Sequence, residues 1–387
     1  MWHAGGRVCL IPPSMFCDGS WLEVDLGRLR GNAAAIQAAL GPAGLIAVVK
    51  SDAYGHGLGP AAAALARAGV KRFAVAYAAE AAAVRTAVPA AELILVLGAA
   101  CPAEVPLLLR DQVTPVIVSR DHARALSAAV QAAGGRLGVH LKLDTGMGRL
   151  GFVCPDETAA AAEACRLPGL EVQGVCTHFA MVIPSKKFTA AREQADKFVQ
   201  AVPVLEAAAG RRLFRHLSSS SAALHLPECD HDAVRVGIAL YGYGAALKHR
   251  RFATLPVLQW KSRVLQVKTV PAGFAVGYYA AYRTPAATDL ATLSCGYTDG
   301  YQRHLGNTGH VLIGGKRRPV VGRVSMNWIS VDLGPDSGVR AGDEAVLIGE
   351  QGGESIWADE LGRHCNTIPY EILTGISRQL ERRYAGG

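Results

Sequence analysis

No stretch of the chain approaches the ~20 consecutive apolar residues that a membrane-crossing helix needs, so a spanning segment is not expected. Low-complexity tracts are also missing. Only 19% of residues are charged while 50% are apolar, a balance that excludes disordered and fibrous classes and indicates a well-packed enzyme-like chain. The nine cysteines, at 9, 17, 101, 154, 165, 176, 229, 295 and 365, include no CxxC pair. Neither a disulfide scaffold nor a zinc ribbon follows from that spacing, and a reducing cytoplasm is the expected compartment. Near the N-terminus, Pro12-Pro13 interrupts the short apolar run, so a secretory leader is not expected. LYGYGA at 240–245 lacks the GxGxxG spacing of a dinucleotide loop.

Charge of one sign is in modest excess, at +8. Its carriers, Arg211-Arg212, Lys248 to Arg251, Lys316 to Arg318 and Arg382-Arg383, are short, scattered and free of interleaved aromatics. That pattern argues against nucleic-acid binding and for a surface that draws in small anions. HLPECDHD offers His225, Cys229 and His231 but no second ligand pair at a supporting spacing, so no metal site is expected.

What the chain does contain is rhythm. Eight short apolar runs recur, at Ile46, Phe73, Leu93, Pro115, Gly138, Val172, Phe214 and Val234, with helix-like segments between them. The segment DHARALSAAVQAAGG shows the helical pattern, with Asp121 as the expected N-cap. Eight strands alternating with helices predict an α/β fold with a (β/α)8 barrel. After Leu255-Pro256 the chain turns to WKSRVLQVKTV, DLATLSCGY, GHVLIGG and DEAVLIG, strand-like and punctuated by turns. The expected organisation is an N-terminal arm over 1–18, a barrel over 19–255 and a mostly β C-terminal domain over 256–387.

Chemistry on such a barrel collects where the strands end. AVVKSDAYGHG places Lys50 at the end of the first strand. By itself that lysine reads as a solvated strand terminus, as most lysines do, or as an amine held for reaction, and the local string does not decide. The other unusual residues fall on the same face: Lys142 and the loop Asp144 to Arg149 after the fifth strand, His178 after the sixth, Ser218 to Ser221 after the seventh, and Arg235 to Ile238 on the eighth. Loops after the last two strands commonly bind phosphate, and here they carry four serines and Gly237. A phosphate there and an amine at strand one describe pyridoxal 5'-phosphate held on a lysine.

At this point the chain resembles the alanine racemases, from about Trp21 to Tyr384. The matching strings are VVKSDAYGHG, HLKLDTGMGRLGF, THFA, HLSSSSA, RVGIALYG, VGYY, GYTDGYQRHL, GRVSMN and NTIPYEIL, in this order. The resemblance implies a homodimeric, PLP-dependent racemase that interconverts L- and D-alanine by two bases and supplies D-alanine for cell-wall precursors. Lys50 would hold the cofactor and serve as one base, and Tyr278, from the partner subunit, as the other. Tyr54, Ser220, Gly237, Ile238 and Tyr370 would hold the phosphate, Arg235 would face the pyridine nitrogen, and His178 would pack by the ring. Arg149 would support the tyrosine and the substrate carboxylate, with Lys142, carbamylated in many family members, beside it. Met326 and Tyr297 would line the substrate entrance.

Three positions depart from the family pattern: Asn327 where aspartate is usual, Tyr279 where glycine is usual, and MVIPSK over 181–186 where acid is usual. They imply a more positive approach path and slower or less selective turnover. Serine or broad-specificity racemisation is the alternative within the enzyme class. A non-catalytic PLP-binding homeostasis protein of the single-barrel type is the alternative outside it, and the residues after Pro256 argue against that one. A barrel-type decarboxylase would pair an acid, not Arg235, with the ring nitrogen.

Overall fold

The computed structural model describes residues 19–182, 188–244 and 251–387. The expected arm over 1–18 and most of the 181–186 departure lie outside these. The described chain divides into two compact units, one built from Leu26–Val257 and the last two residues, the other holding Ser20–Asp25 and Leu258–Ala385.

In the first unit all eight expected strands form: Gly44–Val48, Arg72–Val75, Leu93–Ala99, Thr114–Ile117, Leu137–Asp144, Leu170–Cys176, Phe214–His216 and Ala233–Val236. The first seven pair in parallel, each with the next, and the eighth pairs with the first. Backbone bonds from Asp232 to Arg215 at 3.1 Å and from Arg235 to Ser218 at 3.0 Å join the eighth strand to the seventh, so the ring closes. Helices cover the outside, which is why strands such as Arg72–Val75 are apolar on both faces: Phe73, Ala74 and Val75 are all fully buried. Leu26–Leu40 shows how the helices attach, burying Leu29, Ala33, Ile36 and Leu40 along one stripe. The helix Arg120–Ala132 is capped by Ser119, whose hydroxyl accepts from the amide of His122 at 3.2 Å; Asp121 lies inside the first turn instead.

The second unit is antiparallel. Leu258–Val270, Thr288–Leu293, Ile329–Gly334, Lys316–Val321, His310–Ile313 and Glu344–Gln351 pair in that order, and Glu344–Gln351 pairs back to Leu258–Val270, closing a six-stranded ring. Trp260, Val264, Leu293, Leu312, Val331 and Val346 are all buried in this unit. The Gly314-Gly315 hairpin has positive φ at both residues, the geometry that matches strand twist in a two-residue loop. Ser20–Asp25 adds to this unit, antiparallel to Leu258–Val270 and parallel to Glu381–Ala385. The sequence reading begins the barrel at residue 19; the structure gives this strand to the β unit and starts the barrel at Leu26. Among the described residues no helix is long and apolar enough to cross a membrane.

Candidate active site

Lys50 opens a turn of unusual hand. Ser51, Asp52, Ala53 and Tyr54 all have φ near +55°, so the chain makes one left-handed helical turn after the first strand. For residues with a side chain this conformation costs about 1–2 kcal/mol each, and it persists only where its surroundings over-determine it. The ties are visible. Asp52 Oδ1 accepts from the amide of Leu58 at 2.8 Å, and the amide of Ala53 donates to Val49 O at 2.9 Å. His56 Nδ1 lies 3.0 Å from the carbonyls of both Ala53 and Tyr54, and its ring packs on Tyr241. Tyr241 in turn donates to Val48 O at the end of the first strand.

This turn brings Tyr54 to Gly237. A β-carbon on Gly237 would fall 2.2 Å from the Tyr54 hydroxyl, so only glycine fits. The amide of Gly237 donates to Ser220 Oγ at 3.1 Å, and that of Ala239 to the same oxygen at 3.4 Å. Two hydroxyls and the backbone of Gly237-Ile238 therefore meet at the ends of the seventh and eighth strands, a donor set suited to a phosphate oxyanion.

Arg235, on the eighth strand, is 4% exposed and faces carbonyls and imidazoles. It donates to the carbonyls of His216, Thr177 and Leu217 at 2.6, 2.7 and 2.9 Å and to His216 Nδ1 at 2.7 Å. His216 Nε2 continues the chain to His140 Nδ1 at 2.8 Å. Among the described residues no carboxylate pairs with Arg235, and the other cations nearby share its sign. Burial, then Arg235, push the His178 imidazole down to about 2, so that ring is neutral. Lys142, buried on the fifth strand, is lowered to about 8, by burial above all and by Arg235 and Arg149 in addition. Burial likewise pulls the Lys50 amine below its ordinary range; Arg149 adds to the drop and Glu80 opposes it.

Arg149 is placed by its loop. Asp144 accepts the amides of Gly146, Met147 and Gly148 on Oδ1 and that of Arg149 on Oδ2, all within 3.1 Å. Burial pushes the Asp144 carboxyl up, but the four amides outweigh it and hold it below the usual range. Gln194, on the helix Thr189–Ala209, then clamps two loops, donating to Thr145 Oγ1 and His178 O and accepting from the amide of Ala180.

The β unit carries the remaining expected residues. Tyr278 is 66% exposed and Tyr279 87%, and Tyr279 has φ +61°, a conformation that favours glycine. The Arg323 guanidinium lies 5.2 Å from the Tyr279 ring. Met326, Tyr297 and Asn327 meet at one corner: Tyr297 N donates to Ser325 O, Thr298 Oγ1 donates to Met326 O at 2.8 Å, and Asn327 donates to Thr298 Oγ1 at 3.0 Å. Tyr370 stands on the short helix Pro369–Gly375.

Thus Lys50, Tyr54, Lys142, Arg149, His178, Ser220, Arg235, Gly237 and Ile238 lie at the strand ends of the barrel, while Tyr278, Tyr297, Met326 and Tyr370 belong to the β unit. Sequence reasoning misses Glu80, Gln194 and the His140–His216 pair; each bonds loops far apart in sequence, and nothing in its local string signals that. Among the described residues, the ligand atoms of His225, Cys229 and His231 are not gathered into one group. The group of ligand types that does come together among the described residues is His310, Glu360 and His364, but both carboxylate oxygens of Glu360 accept from Arg317, whose charge opposes a cation there.

Two family descriptions match the chain: alanine racemase, N-terminal domain, over residues 24–245, and alanine racemase, C-terminal domain, over 257–384. The alanine racemase of Syntrophobacter fumaroxidans is 40% identical over 370 residues, spanning 95% of this chain and 98% of that one. That of Carboxydothermus hydrogenoformans is 42% identical over 366 residues, spanning 94% and 99%. Among solved structures, alanine racemase from the D-cycloserine producer Streptomyces lavendulae superposes with a TM-score of 0.89 at 33% identity, covering 96% of this chain and 98% of that one. The Bacillus anthracis enzyme with bound L-Ala-P gives 0.87 at 32% identity, covering 95% of each.

Proposed function

We propose that this chain, which belongs to the alanine racemase family, interconverts L-alanine and D-alanine with pyridoxal 5'-phosphate held on Lys50. The observation that carries the reading is the left-handed turn that presents Lys50 at one end and Tyr54 at the other, with the Tyr54 hydroxyl over Gly237 beside Ser220. The residues fit the cofactor: an amine for its aldehyde, a cradle of hydroxyls and glycine backbone for its phosphate, and a buried cation on the eighth strand for its ring nitrogen. When bound, pyridoxal phosphate supplies the electron-withdrawing ring that acidifies the α-proton of an amino acid.

The chain's own groups do the rest. Lys50 moves a proton at Nζ on one face of the substrate, and burial lowers its proton affinity, which favours the free amine that a base needs. Tyr278 serves the opposite face from a second copy of the chain, and its exposure here leaves it available to a partner. Arg149 supports that tyrosine and pairs with the substrate carboxylate by charge-assisted hydrogen bonds. Arg235, always charged, leaves the ring nitrogen unprotonated and restrains side reactions. His178 packs by the ring as a neutral group, Ile238 and Tyr370 complete the phosphate cradle, and Met326 and Tyr297 line the entrance.

A racemisation screen over all common amino acids with purified protein, alongside Lys50→Ala, tests the reading. Alanine turned over fastest, with Lys50→Ala inactive, is the expected result. Carbon dioxide release in place of racemisation would make the chain a decarboxylase.

A further inference from the structure

Glu80 stands in the first turn of the helix Ala78–Ala87, after the second barrel strand, and is half-buried. Both its carboxylate oxygens are engaged: Oε1 accepts the amide of Ser51 at 2.6 Å, and Oε2 accepts the amide of Ala76 at 2.9 Å. Ser51 is the first left-handed residue and the immediate neighbour of Lys50; Ala76 follows Arg72–Val75. One carboxylate therefore ties the lysine turn to the end of the adjacent strand. A charged acceptor makes these bonds short and strong, which is what a strained turn needs.

We infer that Glu80 is a positioning residue: by fixing the Ser51 amide it holds the left-handed turn that carries Lys50 and Tyr54, and so sets where the amine and the phenol stand. Among the described residues Glu80 is the acid whose charge acts on the Lys50 amine. Arg149 from the loop after the fifth strand and His178 after the sixth are the charged and titratable groups coupled to Lys50 from the other elements, and Glu80 opposes the cation. Glu80 thus has a second effect, favouring the protonated amine in the cofactor-free chain.

The inference rests on Lys50 being the cofactor lysine, and the two are tested separately. Borohydride reduction of the loaded wild-type protein followed by peptide mapping places the cofactor; trapping on another lysine sinks that reading alone. For Glu80, full-length Glu80→Gln and Glu80→Ala are compared with wild type after cofactor removal. Amide exchange in the peptide spanning 49–57 should rise at least about tenfold in Glu80→Ala and less in Glu80→Gln, which keeps one acceptor, while peptides of the fifth and sixth strands stay as in wild type. The pH midpoint for acylation of Lys50 should move down in both variants, because both lose the charge; a merely structural role would not move it. In the loaded enzymes kcat should fall about a hundredfold in Glu80→Ala with KM changed far less, as expected for a displaced reacting group. If Glu80→Ala is too unstable to purify, Glu80→Gln carries the test through its midpoint and exchange. Wild-type exchange over 49–57, or wild-type kcat, in a variant lacking the carboxylate overturns the assignment.

Discussion

The Tyr54 hydroxyl lies so close over Gly237 that a single added methyl group would stand 2.2 Å from the phenol oxygen. Tyr54 belongs to the same left-handed turn as Lys50. Gly237→Ala should therefore keep the fold but displace the phenol, at an overpacking cost of about 1–3 kcal/mol. Affinity for pyridoxal phosphate should drop about tenfold or more. Titrating the cofactor-free variant and following the visible absorption checks this; an unchanged dissociation constant would mean that the cradle lies elsewhere.

Lys50→Ala should lose both the borohydride-reducible linkage and the activity. Should that variant retain a reducible linkage and full turnover, the assignment of the cofactor to Lys50 is wrong.

Assembly has its own test. Inactive Lys50→Ala and inactive Tyr278→Ala subunits, mixed and allowed to exchange, should recover part of the activity, because a two-fold heterodimer contains one site with both bases. No recovery after proven exchange would show that each site is built within one chain.

Lys142 makes stability depend on pH. Its folded-state pKa of about 8 lies below the ordinary 10.5, so between these values the unfolded chain binds a proton that the folded chain does not. Stability should rise as pH climbs through that window and lie flat below it, where both states are protonated. Lys142→Met, similar in volume, should abolish the rise and stabilise the protein at pH 7 by on the order of 3 kcal/mol. Urea unfolding in buffers freed of carbon dioxide measures both, since a neutral amine there is open to carbamylation. A wild-type profile that is level from pH 8 to 10 would contradict the burial argument.

Asn327 bonds Thr298 at the corner shared with Met326 and Tyr297. With no negative charge there, lysine should be a poor substrate, alanine the best and serine intermediate, because small-pocket discrimination is only about 1–3 kcal/mol per methylene. Comparing kcat/KM for the three amino acids in wild type and Asn327→Asp tests this, with lysine expected to gain in the variant. Preference for lysine over alanine in wild type would defeat both the size and the charge arguments.

The eight barrel strands were legible because parallel strands buried on both faces read as bare apolar runs. Lys50, Arg235, Gly237 and the serines were legible because they end those runs. The strand Ser20–Asp25 was not: SWLEVD alternates in the same way whatever its partner, and its partners lie more than two hundred residues away. The left-handed turn was hidden for a different reason. Ser51, Asp52, Ala53 and Tyr54 are ordinary residues by local preference, and bonds with Glu80, Leu58 and His56 are among those that hold them in a conformation that they would not choose. Glu80 itself reads as a solvated acid near a helix start, and Gln194 as one more polar residue on a long helix.

Inside the barrel, the hydrogen-bonded line from Arg235 through His216 to His140 has only one polarity. A guanidinium donates and never accepts, so His216 must offer a lone pair at Nδ1 and carry its hydrogen on Nε2, which leaves His140 accepting at Nδ1 with its hydrogen on Nε2. Burial, reinforced by Arg235, drives His140 down to about 3 and His216 well below its usual range, so neither ring takes a second proton near neutrality. The line is a dead end for proton conduction. Protons gained or lost at the barrel mouth therefore do not travel inward along this line, and Arg235 keeps its charge beside two neutral rings.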